Sequence, residues 1–187
     1  MIRTPFNPFP ELKTERLLLR RITFSDAPEM LEMRGNPENN EFLFRPLATS
    51  IDEMPGFIQT MFNLEEQQSA INWCLSLGPG QPMLGTVCIW NIDPDNHRGE
   101  LGYILMKPHR GKGLMTEAIK AAIDFGFKEM NLNAITAFVN AQNKPSFQIL
   151  EKLGFVREAY FKQKVFYANR YHDEMVYTLF HPGNDSL

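Results

Sequence analysis

Residues 99–118, GELGYILMKPHRGKGLMTEA, decide how this chain is read. The segment 99–106 is short, largely apolar and reads as a strand. A loop carrying His109, Arg110, Gly111, Lys112 and Gly113 follows. From Lys112 to Lys128, Leu114, Met115, Ala118, Ala121, Ala122 and Phe125 recur at three and four residues, the period of a helix with one buried face. Such a helix start has N–H groups without intrahelical partners and the positive end of the helix dipole, so it favours an anion. Gly111 and Gly113 would let the backbone approach that anion closely, and Arg110 and Lys112 add charge. Taken alone, the motif reads equally well as a tight turn with solvated cations.

The flanking sequence supplies a sheet for this unit. Downstream, ITAFV (135–139) reads as strand and Pro145 to Lys152 as a helix ending at Gly154. FVREAYF (155–161) and EMVYTLF (174–180) read as closing strands. Upstream, INWCLSL (71–77) and MLGTVCIWNI (83–92) form a hairpin about Gly78-Pro79-Gly80, and Asp93 to Asn96 turn into the strand at 99. RLLLRRI (16–22) is a first strand. Ser25-Asp26 with Glu29 signals a helix through Arg34. Ser50 or Asp52 caps another towards Gln68, with Pro55 and Gly56 in its first turn. Hairpins flanking an alternating centre predict an α/β (α+β) class, with a mixed, mostly antiparallel central sheet flanked by helices. No repeat, low-complexity tract or Gly/Ser linker interrupts it, so residues 1–187 are expected to form a single domain.

Composition narrows the partners. The chain has 187 residues, a net charge of −3 and 43% hydrophobic residues, which suits a globular core and offers no broad attraction to nucleic acid or an anionic membrane. Cys74 and Cys88 form no CxxC pair and read as buried reduced thiols. The N-terminus has no apolar leader and no run approaches a membrane span, so a soluble cytoplasmic protein is expected. His97, His109, His172 and His181 lack metal-ligand spacing, and no metal is expected. Two nucleotide motifs are excluded by spelling. A Walker loop needs Ser or Thr after Lys112, where Gly113 stands, and a Rossmann fingerprint needs a third glycine at Thr116.

GYILMKPHRGKGLMTEA, followed by NAQNKPSFQILEKLGF (140–155), resembles the GNAT superfamily of N-acetyltransferases. The opening TERLLLRRIT and closing YHDEMVYTLF extend the resemblance over nearly the whole chain. The pattern is most similar to the Rim-type branch, which acetylates protein N-terminal amines. The resemblance implies the acyl-CoA N-acyltransferase fold, acetyl-CoA as acetyl donor, and a primary amine as acceptor. It assigns the backbone of Ile104, Leu105 and Met106 to the pantetheine arm, and the amides of Arg110, Gly111, Lys112, Gly113, Leu114 and Met115 to the pyrophosphate. Pro108 departs from the Gln or Arg often found at its position. Asn143 matches the asparagine that bonds the cofactor arm, and equally suits a helix N-cap before Lys144-Pro145.

Acetyl transfer needs a neutral amine, so a general base is required. Glu100 stands where many members carry a catalytic glutamate, and alternation places it on one face with Gly102 and Ile104. It also reads as a solvated strand-start charge beside Arg98. The acid tyrosine of many members is replaced by Leu150. Ser146 is the available hydroxyl, although a first-turn helix serine is also ordinary. A backbone N–H near Met106 is expected to meet the oxyanion. The acceptor is expected between the early helical segment and the last hairpin, where Tyr167, Asn169, Tyr171, His172 and Asp173 fall. Two alternatives stay open: a small amine (antibiotic, polyamine or amino acid) as acceptor, or a CoA-binding sensor without catalysis. A monomer or homodimer is expected.

Overall fold

The computed structural model describes residues 2–4 and 6–183. Its strands are β1 (Leu12–Lys13), β2 (Leu18–Arg21), β3 (Ile71–Ser76), β4 (Gly85–Asp93), β5 (Arg98–Leu105), β6 (Ala134–Asn140), β7 (Val156–Tyr167) and β8 (Arg170–Phe180). Its helices are α1 (Ala27–Gly35), α2 (Pro37–Asn40), α3 (Met54–Glu66), α4 (Leu114–Lys128) and α5 (Lys144–Lys152). The strands form one eight-stranded sheet in the order β1-β2-β3-β4-β5-β6-β8-β7. Every pairing is antiparallel except β5 with β6. The expected mixed, mostly antiparallel sheet flanked by helices is what forms.

Side-chain alternation divides the helices between the two faces. On one face Leu19, Trp73, Leu75, Val87 and Ile89 pack against Leu114, Met115, Ala118, Ile119 and Ala122 of α4. On the other, Ile22, Cys74 and Met106 pack against Met30 and Met33 of α1 and Met54 and Ile58 of α3. β3 is covered on both faces, which explains the unbroken apolar run of INWCLSL. α5 covers β6 on the α4 side, with Leu150 beside Ile135, Ala137 and Val139 in the larger core.

Local chemistry sets the boundaries. Gly113, with φ of +77°, is the residue before α4, so that helix begins at Leu114 rather than at Lys112. Asp26 stands before α1, after a 3-10 turn at Phe24–Asp26. Its carboxylate accepts from Thr23 N–H at 2.8 Å. Ser50 Oγ accepts from Asp52 N–H at 3.1 Å and opens the turn that leads into α3. The closing strands are longer than expected: β7 and β8 meet at a two-residue turn, Ala168-Asn169, whose φ values are +50° and +60°.

The feature that positions the site is an interruption. β5 and β6 pair over Arg98↔Ala134, Gly99↔Ile135 and Glu100↔Thr136 alone. Yet β4 follows β5 as far as Leu105, and β8 follows β6 as far as Asn140. Beyond Glu100 the sheet therefore opens into a V between its two halves.

Candidate active site

The V is a cavity of about 580 Å³. Its walls are residues 101–105 of β5 and 137–140 of β6. The start of α4 closes one end, and Asn143, just before α5, with Ser146 and Ile149 of α5 line the other side. Antiparallel pairing fixes which backbone groups face it. Met106 N–H donates to Leu84 O at 3.0 Å, so the even-numbered residues of β5 are spent on β4. Tyr103 and Leu105 turn their N–H and C=O groups the other way, where β6 has departed. Of the segment Ile104-Leu105-Met106 read from the sequence, Leu105 alone presents main-chain groups to the opening. The same pairing narrows the expected oxyanion donor near Met106: the Met106 N–H is bonded to Leu84 O, and the neighbouring amide that faces the cavity is that of Leu105.

The loop into α4 is shaped by left-handed backbone. Gly111 has φ of +76° and Gly113 of +77°, values an L side chain adopts only with strain. A Cβ at Gly111 would meet none of the described protein atoms within 4 Å, and Gly111 is one of the residues that line the cavity. The first bond inside α4 runs from Glu117 N–H to Gly113 O at 3.1 Å. The N–H groups of Leu114, Met115 and Thr116 consequently point out of the helix end.

The loop's cations lie beside its amides, and their donors are held by main-chain carbonyls. Arg110 Nε donates to Leu105 O at 2.8 Å, and its Nη atoms reach Glu38 O at 3.4 Å and Asn39 O at 3.5 Å. It fastens the loop to β5 and α2. Lys112 Nζ donates to Pro108 O at 3.0 Å, and Lys112 does not line the cavity. On the outer side, Arg16 Nη1 donates to Lys112 O at 2.9 Å. Arg16 also holds Glu117, with Nε–Oε2 at 2.7 Å. Burial pushes the Glu117 carboxyl up, but the hydrogen bonds from Thr14 and Arg16 outweigh it and hold it below the usual range. The groups left outward at the helix start are main chain, and the loop's charged side chains are braces.

At the far side, Asn143 Oδ1 accepts from Ser146 N–H at 3.3 Å, an N-cap of α5. Asn143 also lines the cavity, and among the described residues its Nδ2 has no partner, so cap and ligand donor are compatible in one side chain. Ser146 Oγ lies 2.7 Å from Tyr103 Oη across the opening. Tyr103 was not singled out from the sequence. Its signal was the alternation of GELGYILM, which sets Leu101, Tyr103 and Leu105 opposite to Glu100, Gly102 and Ile104. Burial pushes the Tyr103 hydroxyl up to about 12, against a smaller lowering by Ser146.

Glu100 is half-buried on the opposite sheet face, just outside the cavity lining and one pleat from Gly102, which lines it. Its Oε1 accepts from Asn91 Nδ2 at 2.5 Å. Asn91 lies in the β4 irregularity between Trp90 and Asp93, with φ of +46°, and that bulge aims it at the carboxylate. Glu174 of β8 is on the same face. Burial raises its carboxyl, Lys164 draws it back, and the charge of Glu100 raises it further. This face carries exposed Phe138, Val156 and Phe161 beyond the reach of α1 and α3. Its rim is the hairpin expected to meet the acceptor. Tyr167 Oη donates to Arg45 O at 2.5 Å, and Phe44 packs on His172 with ring centroids 4.9 Å apart. Asp173 turns inward along the hairpin, accepting from Tyr160 Oη at 2.6 Å, while Tyr171 is exposed and Asn169 makes the turn. Among the described residues no three His, Cys, Asp or Glu side chains form a metal-binding group, and no helix is long and apolar enough to cross a membrane.

Comparison with known proteins places this geometry. Residues 16–156 match the acetyltransferase (GNAT) domain. The N-acetyltransferase p20 of Bacillus licheniformis is 33% identical over 79% of this chain and 83% of its own. The [ribosomal protein uS5]-alanine N-acetyltransferase of Escherichia coli is 28% identical over 94% and 93%. The spermidine N(1)-acetyltransferase of Vibrio cholerae is 24% identical over 84% and 89%. The crystal structure of a GNAT-family acetyltransferase from Bacillus anthracis superposes with a TM-score of 0.80 at 27% identity, covering 91% of this chain and 98% of that one. A sheet that opens beside a glycine-shaped helix start, with this family match over most of its length, identifies the chain as an acyltransferase of the GNAT family of N-acetyltransferases.

Proposed function

We propose that the chain transfers the acetyl group of acetyl-CoA to a protein N-terminal α-amine, as a Rim-type enzyme of the cytoplasm acting through one domain. The observation that carries the donor side is the loss of β5–β6 pairing beyond Glu100, which leaves the main-chain groups of Tyr103 and the N–H of Leu105 facing a cavity, the Leu105 carbonyl being taken by Arg110. An arm of alternating amides suits those groups, and a pyrophosphate suits the unpaired N–H groups from Gly111 to Thr116. Asn143 Nδ2 supplies a further donor to the arm.

On the acceptor side, Glu100 takes the proton of the incoming ammonium, directly or through water, with Asn91 fixing the carboxylate. Ser146 donates to the departing sulfur. A polypeptide acceptor is favoured by the uncovered sheet face beside Glu100, where exposed Phe138 and Phe161 give an extended chain apolar contacts. The similarity to the uS5-alanine enzyme over 94% of the chain supports the same acceptor class.

The test is thiol release from acetyl-CoA with a panel of peptides bearing N-terminal alanine or serine, spermidine, aminoglycosides and free amino acids. Turnover with the peptides is expected. Glu100→Gln should lower kcat by about 10²–10⁴-fold and leave the KM for acetyl-CoA unchanged. Turnover with spermidine or another small amine alone would replace the peptide reading. Saturable acetyl-CoA binding without turnover on any acceptor would make the protein a sensor.

A further inference from the structure

The two walls of the V touch through a pair of hydroxyls. Tyr103 Oη lies 2.7 Å from Ser146 Oγ and 3.3 Å from Ser146 O, joining β5 to α5 where the strands themselves no longer meet. Both residues line the cavity. The Ser146 N–H is committed to the Asn143 cap. Among the described residues, Tyr103 is thus the side chain that sets where the serine proton points.

Two hydroxyls in contact have two arrangements. If Ser146 gives its proton to Tyr103, the tyrosine proton turns to Ser146 O at the longer distance, and no serine proton faces the cavity. If Tyr103 gives its proton to Ser146 Oγ, the serine O–H swings into the space both residues line. Negative charge growing on a sulfur in that space favours the second arrangement, because the donor then meets the charge where it develops.

We propose that Tyr103 is a positioning residue for acetyl transfer: its phenolic O–H donates to Ser146 Oγ and thereby aims the Ser146 O–H at the sulfur of the departing thiolate. The inference rests on the assignment of Ser146 to the thiol end of acetyl-CoA. In the step concerned the carbonyl C–N bond forms and the C–S bond breaks, with its electron pair going to sulfur. Glu100 has already taken the ammonium proton; the nitrogen that forms the C–N bond loses its next proton to water, both hydroxyls keep theirs, and the thiolate is protonated from water. Tyr103 is unsuited to be the acid itself. A hydroxyl pushed up to about 12 by burial lies well above an ordinary thiol at about 8.5, so full transfer to sulfur would be uphill.

The test is a double-mutant cycle with an N-terminal alanine peptide as acceptor, using Tyr103→Phe, Ser146→Ala and the double variant. Readouts are kcat, KM for acetyl-CoA and melting temperature. Ser146→Ala should lower kcat by about 10–100-fold, and Tyr103→Phe by about 5–20-fold with KM within about two-fold. The double variant should be no slower than Ser146→Ala within about two-fold, because the tyrosine acts through the serine. A double variant as slow as the product of the two losses would overturn the proposal. So would a Tyr103→Phe enzyme that shifts melting or KM while kcat holds. A slow Ser146→Ala beside a Tyr103→Phe of normal rate removes the role of Tyr103 and keeps that of Ser146; a Ser146→Ala of normal rate removes both.

Discussion

Replacing Gly111 by alanine separates the two demands on that residue, backbone shape and room for a ligand. The φ of +76° makes an alanine there strained by about 1–2 kcal/mol, offset in part by the smaller entropy of the unfolded chain. A net loss of about 1 kcal/mol corresponds to a fall of about 2–4 °C in melting temperature for a chain of this size. The new Cβ meets no protein atom within 4 Å, so nothing in the fold resists it beyond that strain. In the proposed cradle it would, however, stand where a phosphate approaches the N–H groups of the loop. Losing one or two charge-assisted hydrogen bonds, at about 1.5–3 kcal/mol each, raises the dissociation constant of CoA by at least about ten-fold. Gly80 provides the control. Its φ is +68° with equally open surroundings, and it lies in the β3–β4 turn outside the cavity. Gly80→Ala should therefore lose the same few degrees and bind CoA normally. Calorimetric titration with CoA and thermal melts of both variants make the comparison. Equal CoA affinity in the two variants would refute a main-chain phosphate cradle at Gly111.

Three further outcomes follow from contacts elsewhere in the fold. Burial pushes the Asp26 carboxyl up, but Arg20 at 2.6 Å and the Thr23 N–H outweigh it and hold it below the usual range. That pair stabilises the fold above the unfolded carboxylate value of about 3.9 and is lost as pH falls through the lower folded value. Asp26→Ala should cost about 3 kcal/mol at pH 7, with the gap to wild type narrowing below pH ~4 in melts run against pH. Burial also pushes the thiols of Cys74 and Cys88 up to about 12, so a disulfide reagent at pH 8 should label neither in the native protein and both in denaturant. Tyr167→Phe removes the bond to Arg45 O and should raise the KM for the acceptor by about three- to ten-fold while that for acetyl-CoA stays fixed, as measured by steady-state kinetics.

Periodicity made most of this architecture legible. α4 shows because its small and large apolar residues keep one face towards β3 and β4, and β3 shows because it is covered on both sides. The length of the β7–β8 hairpin stayed hidden because its turn, Ala168-Asn169, takes left-handed backbone without the glycine that usually advertises it. What the sequence could not show is where the loop's side chains go: Arg110 and Lys112 add charge beside the amides, and two carbonyls, Leu105 O and Pro108 O, take up their donors at close range. Tyr103 was passed over because a tyrosine in an apolar strand reads as packing. Its partner Ser146 stands on another wall 43 residues away, and a contact of that span leaves no trace in spacing.

The commitment of alternate β5 residues to β4 bears on how such a protein can change over generations. Every residue but proline carries the same N–H and C=O, so a recognition surface made of them survives almost any exchange of the side chains attached to it. Alternation sends the variable parts of neighbouring residues to the other face, where Glu100 and Glu174 stand beside the hairpin. On the proposed reading, mutation would redraw the choice of amine on one side of the strand while leaving the grip on the donor intact, so that one scaffold is retuned for new acceptors by substitutions confined to that face.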